Sequence, residues 1–134
     1  MRIPVSRARV AEVARAVLEA ERVPNALLSI AFVTRQRIAA LNREHLGRRG
    51  VTDVISFGFA RVTDRDPVIG DIYICPDVAR AAAAERRIGI REELTRLVIH
   101  GTLHVLGHDH PEAEGREGSP MWKRQEQLLA RVTR

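Results

Sequence analysis

"LTRLVIHGTLHVLGHDH", residues 94–110, decides how the rest of the chain is read. Leu94, Leu97, Val98, Ile99, Leu103, Val105 and Leu106 leave a helix almost no polar side, so a helix over roughly 91–106 must be largely buried. The same stretch carries four of the chain's five histidines, at 100, 104, 108 and 110. An unpartnered polar group in such a helix costs about 1–3 kcal/mol, so each buried imidazole needs a partner. His100 and His104 lie four residues apart and therefore project from one face, a turn apart. Gly107 suits a left-handed cap that folds the chain back, which brings His110 over the same point.

The offsets 0, 4, 7 and 10 for His, His, Gly and His equal those of the metzincin pattern, so convergence on one ion is geometrically feasible. We therefore expect a metal site made by His100, His104 and His110. Three imidazoles leave a fourth tetrahedral position open, as in catalytic zinc sites that activate water near neutral pH. Imidazole also accepts nickel, copper or cobalt. Metzincins place a glutamate directly after the first histidine as general base, and Gly101 stands there instead, which argues against a peptidase of that class. The competing reading is structural histidines bonded to the backbone, but three at these offsets favour a metal. His108 lies off the ligand set and is a candidate ligand or proton-transfer group. Asp109 can orient a ligand histidine or cap the turn. The sulfur of Cys75 can ligate zinc, although its position at a strand end reads first as packing, and Met121 reads as core rather than as a Met-turn.

Outward from this helix the elements follow from periodicity and caps. Ser6 is a plausible N-cap, and Val10, Val13, Ala14, Val17 and Leu18 after it keep helical spacing that should end before Pro24. "LLSIAFV" (27–33) reads as a strand, and Thr34 can cap a second helix with Ile38, Leu41 and His45 on one face, broken by "GRRG" (47–50). "TDVISFGFA" (52–60) alternates large Ile55, Phe57 and Phe59 with small Ser56, Gly58 and Ala60, and "VIGDIYICP" (68–76) is another strand. The two can form a hairpin with a long tip. "DVARAAAAERR" (77–87) has high helix propensity, and a last helix begins near Ser119-Pro120 with Met121, Leu128, Leu129 and Val132 as its apolar face. The expected fold is α+β, a single α/β sandwich domain over 1–134 with a small mixed sheet of three to four strands and about five helices.

Composition bounds the class. With 134 residues, 45% apolar and 29% charged, the chain suits one soluble domain and not a disordered segment. No run of about 18 apolar residues appears, and "MRIPVSRARV" has no apolar signal region. A single cysteine excludes an intrachain disulfide and fits a reducing cytoplasm. The net charge is +5, and 21 of the 22 basic residues are arginine. Contact with a polyanion and an arginine-rich solvated surface explain that equally well. Aromatic residues at 4% do not promise extensive base stacking.

Taken together, "HGTLHVLGHDH", "VTDVISF" and "GDIYIC", with the leading "EELTRLVIH" and trailing "MWKRQEQLL", resemble the YbeY family of bacterial rRNA maturation factors over nearly the full chain. Against the family's H-G-x-L-H-L-x-G-Y-D-H, this chain has Val105 for Leu and His108 for Tyr; against P-T-[DN]-V-[LI]-S-F it has Val51 for Pro. The resemblance implies a metal-dependent endoribonuclease favouring single strands. It implies work in ribosomal RNA processing and ribosome quality control, with one zinc ion on His100, His104 and His110, a cytoplasmic location and association with ribosomal RNA, the ribosome and its bound proteins.

Two departures bear on activity. The family arginine five residues before the proline is replaced by Leu46; Arg48, or Arg49, can reach a phosphate from the adjoining loop, or both are solvated loop charges. His108 in place of Tyr adds a titratable group. His45, His108 and Asp53 are the candidate general bases. Two other classes compete with the nuclease: a non-enzymatic ribosome assembly factor whose metal is structural, and a zinc hydrolase of peptides or small molecules.

Overall fold

The computed structural model describes residues 2–108 and 118–133. Along the chain run α1 (Arg7–Ala20), β1 (Ala26–Phe32), α2 (Arg35–Leu46), β2 (Val54–Gly58), β3 (Val68–Ile74), α3 (Pro76–Arg86), α4 (Ile90–Val105) and α5 (Pro120–Val132). Three helices begin at hydroxyl caps: Ser6 Oγ accepts from the Arg9 N–H at 3.0 Å, Thr34 Oγ1 from Arg37 at 3.2 Å, and Ser119 Oγ from Trp122 at 3.2 Å. Each cap satisfies a donor that the first helical turn leaves without a partner.

The sheet is mixed, in the order β1-β3-β2, with β1 parallel and β2 antiparallel to β3. The long-tipped hairpin forms as expected, and Asp66 Oδ2 gathers the N–H groups of Val62 and Thr63 at 3.1 and 3.0 Å in its tip. The middle strand has the clearest alternation: Val68, Gly70, Ile72 and Ile74 are buried on one face. That face carries the main core, where α4 meets the sheet and also packs against α1, α3 and α5. Contact on every side explains why α4 lacks a polar stripe.

Three glycines set how closely α4 lies on the sheet. A Cβ at Gly101 would stand 2.7 Å from Ile72 Cγ2, and one at Gly70 only 2.4 Å from Val105 Cγ1. Gly58, the cross-strand partner of Gly70, would place its Cβ 3.1 Å from the Val105 carbonyl oxygen. The opposite face holds a smaller cluster of Ile38, Leu41, Ile55 and Cys75 under α2. Cys75 is fully buried there, in keeping with packing.

On α2 the buried face differs from the expectation. Asn42, not His45, extends it: Asn42 donates through Nδ2 to the Gly50 carbonyl at 3.1 Å. His45 stays exposed, one turn nearer the helix end, with its ring edge-on to Phe57 at 5.1 Å. Among the described residues no helix is long and apolar enough to cross a membrane.

Candidate metal centre and active site

His100 and His104 sit one turn apart in the second half of α4, and each ring is anchored by a different neighbouring element. His100 is buried, with Nδ1 2.7 Å from Gln125 Oε1 on α5. His104 is half-buried, with Nδ1 2.9 Å from Ser56 Oγ on β2. Ser56 is within reach because the small residues of β2 face α4 while Ile55 and Phe57 face α2.

The bonds around Gln125 assign the His100 tautomer. Gln125 Nε2 donates to Glu126 Oε2 at 3.2 Å, and a carboxylate only accepts, so the amide oxygen is the atom turned toward His100. His100 Nδ1 therefore carries a proton, and in the neutral ring Nε2 keeps the lone pair. Glu126 is held in turn by Arg96, which donates from Nε at 3.0 Å and from Nη2 at 3.2 Å. Arg96 also pairs with buried Glu93 at 2.7 Å and with Glu92 at 3.2 Å. Burial works against the Arg96 charge, but hydrogen bonds to Glu126 and Glu93 and their negative charges outweigh it, and its pKa is held above the ordinary arginine range.

Helix α4 stops as the sequence suggested. Gly107 takes φ of 103°, its N–H donates to the His104 carbonyl at 3.0 Å, and the His108 N–H reaches the Leu103 carbonyl at 3.0 Å. This is the Schellman pattern that reverses a chain after a helix. The His108 ring meets Glu21 at the end of α1, at 2.5 Å through Nε2, and Arg124 of α5 pairs with the same carboxylate at 3.2 Å. His110 and Asp109 lie outside the described residues. Among the described residues no three His, Cys, Asp or Glu side chains gather around a common point, so two of the three expected ligands are placed here and the third is not.

The donors fit a borderline transition metal. A neutral imidazole that donates through Nδ1 keeps the Nε2 lone pair for an ion, and such ties are the usual companions of metal-binding histidines. The Gln125 amide oxygen holds His100 in this sense, and the Ser56 hydroxyl is able to accept from His104 in the same way. Gly101 also receives an explanation. Position 101 faces Ile72 in the sheet, so a glutamate there would enter the core and not the histidine face.

The loop carrying Arg48 and Arg49 is tied to α2 at both ends. Gly47 turns with φ of 64°, the Arg48 N–H donates to the Asn42 carbonyl at 3.2 Å, and the Asn42 side chain holds Gly50. Both arginines are exposed, as is Leu46 at the helix end. The Asp53 carbonyl accepts from the Cys75 N–H at 2.9 Å, and its carboxylate lies 3.5 Å from Thr52 Oγ1. Sequence reasoning missed Ser56, Gln125, Glu126 and Arg96. Gln125 had a readable signal: it stands four residues after Met121 and three before Leu128, a polar residue in the middle of an apolar stripe.

A family model described as Endoribonuclease YbeY matches residues 2–133. Proteins named Endoribonuclease YbeY are similar throughout: that of Frankia casuarinae is 40% identical over 94% of this chain and 67% of its own length. That of Thermobifida fusca is 36% identical over 96% of this chain and 86% of its own, and that of Staphylococcus carnosus 41% identical over 78% and 71%. A solution structure from Thermotoga maritima superposes with a TM-score of 0.63 at 26% identity, covering 96% of this chain and 84% of that one. Fold and matches together define a nuclease of the hydrolase class. The chain belongs to the YbeY family of endoribonucleases, as the three sequence motifs implied.

Proposed function

We propose that the chain is a metal-dependent endoribonuclease that cleaves single-stranded segments of ribosomal RNA during maturation and ribosome quality control. His100, His104 and His110 would hold one zinc ion. The observation that carries this reading is the pair of α4 imidazoles, both anchored through Nδ1 by uncharged side chains of other elements. A bound zinc ion supplies a Lewis acid that activates water and polarises a phosphoryl oxygen. The protein's own part is to hold the imidazoles, orient the RNA and offset the charge that builds on phosphorus.

Arg48 is the first candidate for that charge, with Arg49 beside it, because Asn42 fastens their loop to α2. His108, gripped by Glu21, is placed for proton transfer or for closing the turn behind the ligands. The substrate would be reached in the cytoplasm, in association with the ribosome, and a net charge of +5 is compatible with such a polyanion. Leu46 at the family's arginine position favours one second reading, a non-catalytic ribosome assembly factor with a structural metal.

The two readings separate in one experiment. A structured rRNA fragment is incubated with the protein before and after chelation, and with His104→Ala, while bound metal is measured in each sample. Loss of cleavage in both treated samples, restored by zinc in the wild type, supports the nuclease. RNA binding without metal-dependent cleavage selects the assembly factor. Undiminished cleavage after chelation and in His104→Ala removes the metal from the mechanism.

A further inference from the structure

Gln125 is almost fully buried on an otherwise apolar helix face, where leucine would fill the space without needing partners. Its amide is committed at both ends: Oε1 accepts from His100 and Nε2 donates to Glu126. The Glu126 carboxylate cannot donate, so it forbids the flipped amide, and Arg96 fixes Glu126 by a two-point contact. The chain of bonds runs from a charged anchor at the edge of the core to one ring nitrogen in its interior. Each link permits one direction of donation.

We propose that Gln125 is the positioning residue of the metal centre: it fixes His100 as the Nδ1–H tautomer and aims Nε2 at the ion, with Glu126 and Arg96 holding its amide the right way round. The tautomer half of the inference stands on the bonds just given, and the metal half rests on the site proposed above. Gln125 touches neither substrate nor reacting atoms. It acts through His100.

The test uses the full chain. Long-range proton–nitrogen NMR of the metal-free protein reads the His100 tautomer directly, and competition with a chromophoric chelator reads zinc affinity. Gln125→Leu, which removes the acceptor, should move His100 away from a pure Nδ1–H signature and weaken zinc by about 10–100-fold. Gln125→Glu combined with Glu126→Gln keeps an acceptor for His100 and moves the amide donor of the contact to position 126. This pair should restore a protonated Nδ1 and most of the affinity, a rescue that a purely space-filling role would not produce. An unchanged His100 signature in folded Gln125→Leu overturns the proposal.

Should Gln125→Leu fail to fold, Glu126→Ala decides, since Glu126 is partly exposed and removing its acceptor frees the Gln125 amide to turn. A mixed tautomer there supports the proposal, and a wild-type signature overturns it. If the wild type binds no zinc while the signature still follows Gln125, the metal site is wrong and the tautomer control stands. If zinc binds equally well in Gln125→Leu, the metal site stands and the positioning role is refuted.

Discussion

Replacing Gly101 by alanine sets two well-understood effects against each other. In a helix interior the change should stabilise by up to ~1 kcal/mol, because glycine has more backbone freedom to lose. In this protein the new Cβ would stand 2.7 Å from Ile72 Cγ2 and 3.3 Å from Ile72 Cδ1 and Cγ1. Ile72 is fully buried in the middle strand and has little room to withdraw. Overpacking of this kind costs roughly 1–3 kcal/mol. The clash should win, leaving Gly101→Ala destabilised by about 0–2 kcal/mol in urea unfolding.

A double-mutant cycle isolates the cause. Ile72→Val keeps Cγ2 and should not rescue the alanine. Ile72→Ala removes Cγ2, Cγ1 and Cδ1, so in that background Gly101→Ala should become stabilising by up to ~1 kcal/mol, a coupling of about 1–3 kcal/mol. Lifting α4 from the sheet should also lengthen the Ser56–His104 hydrogen bond, visible as a shifted His104 ring signal in the metal-free protein. If Gly101→Ala stabilises the wild type, the helix–sheet distance is not limited by this glycine, and the account of its missing glutamate fails with it.

Other outcomes follow from the same geometry. Arg96→Met leaves buried Glu93 with Arg86 at 3.8 Å as its remaining cation among the described residues, and should cost about 3–5 kcal/mol by urea unfolding. Because the Arg96 pKa is raised, its contribution is complete below the ordinary arginine range and lost only above it, so the cost should be equal at pH 7 and pH 9. Asn42→Ala frees the Gly47–Gly50 loop, should cost about 1 kcal/mol, and should slow RNA cleavage while leaving zinc affinity unchanged in the chelator competition. Of Arg48→Ala and Arg49→Ala, the one that removes the charge facing phosphorus should lower the cleavage rate about 100–1000-fold, and equal small losses in both would mark them as solvated charges. Zinc at a thousand times its Kd should add about 4.1 kcal/mol to unfolding stability, and an excess of chelator should abolish the gain, as calorimetry would show.

Much of the fold was legible because it is written in local rules. Ser6, Thr34 and Ser119 cap the helices that their positions announce, since a cap needs only a hydroxyl and the next turn of backbone. The all-apolar "LTRLVIHGTLHVLG" required a helix surrounded by protein, and α4 has that place. Gly107 ends it for the same local reason. The spacing of His100 and His104 placed both on one face before any tertiary contact was known.

His45 shows the limit of spacing alone: it shares the periodicity of Ile38 and Leu41, yet Asn42 took the buried place because its amide could close a loop eight residues on. What the chain by itself determined were therefore its helices and strands, its family and the helical half of the proposed metal site, all of which are written in short stretches of sequence. Only the tertiary structure decided what holds each imidazole. Ser56 lies 48 residues from His104 and Gln125 lies 25 from His100, and hydrogen bonds over such separations form only when packing brings β2 and α5 against α4.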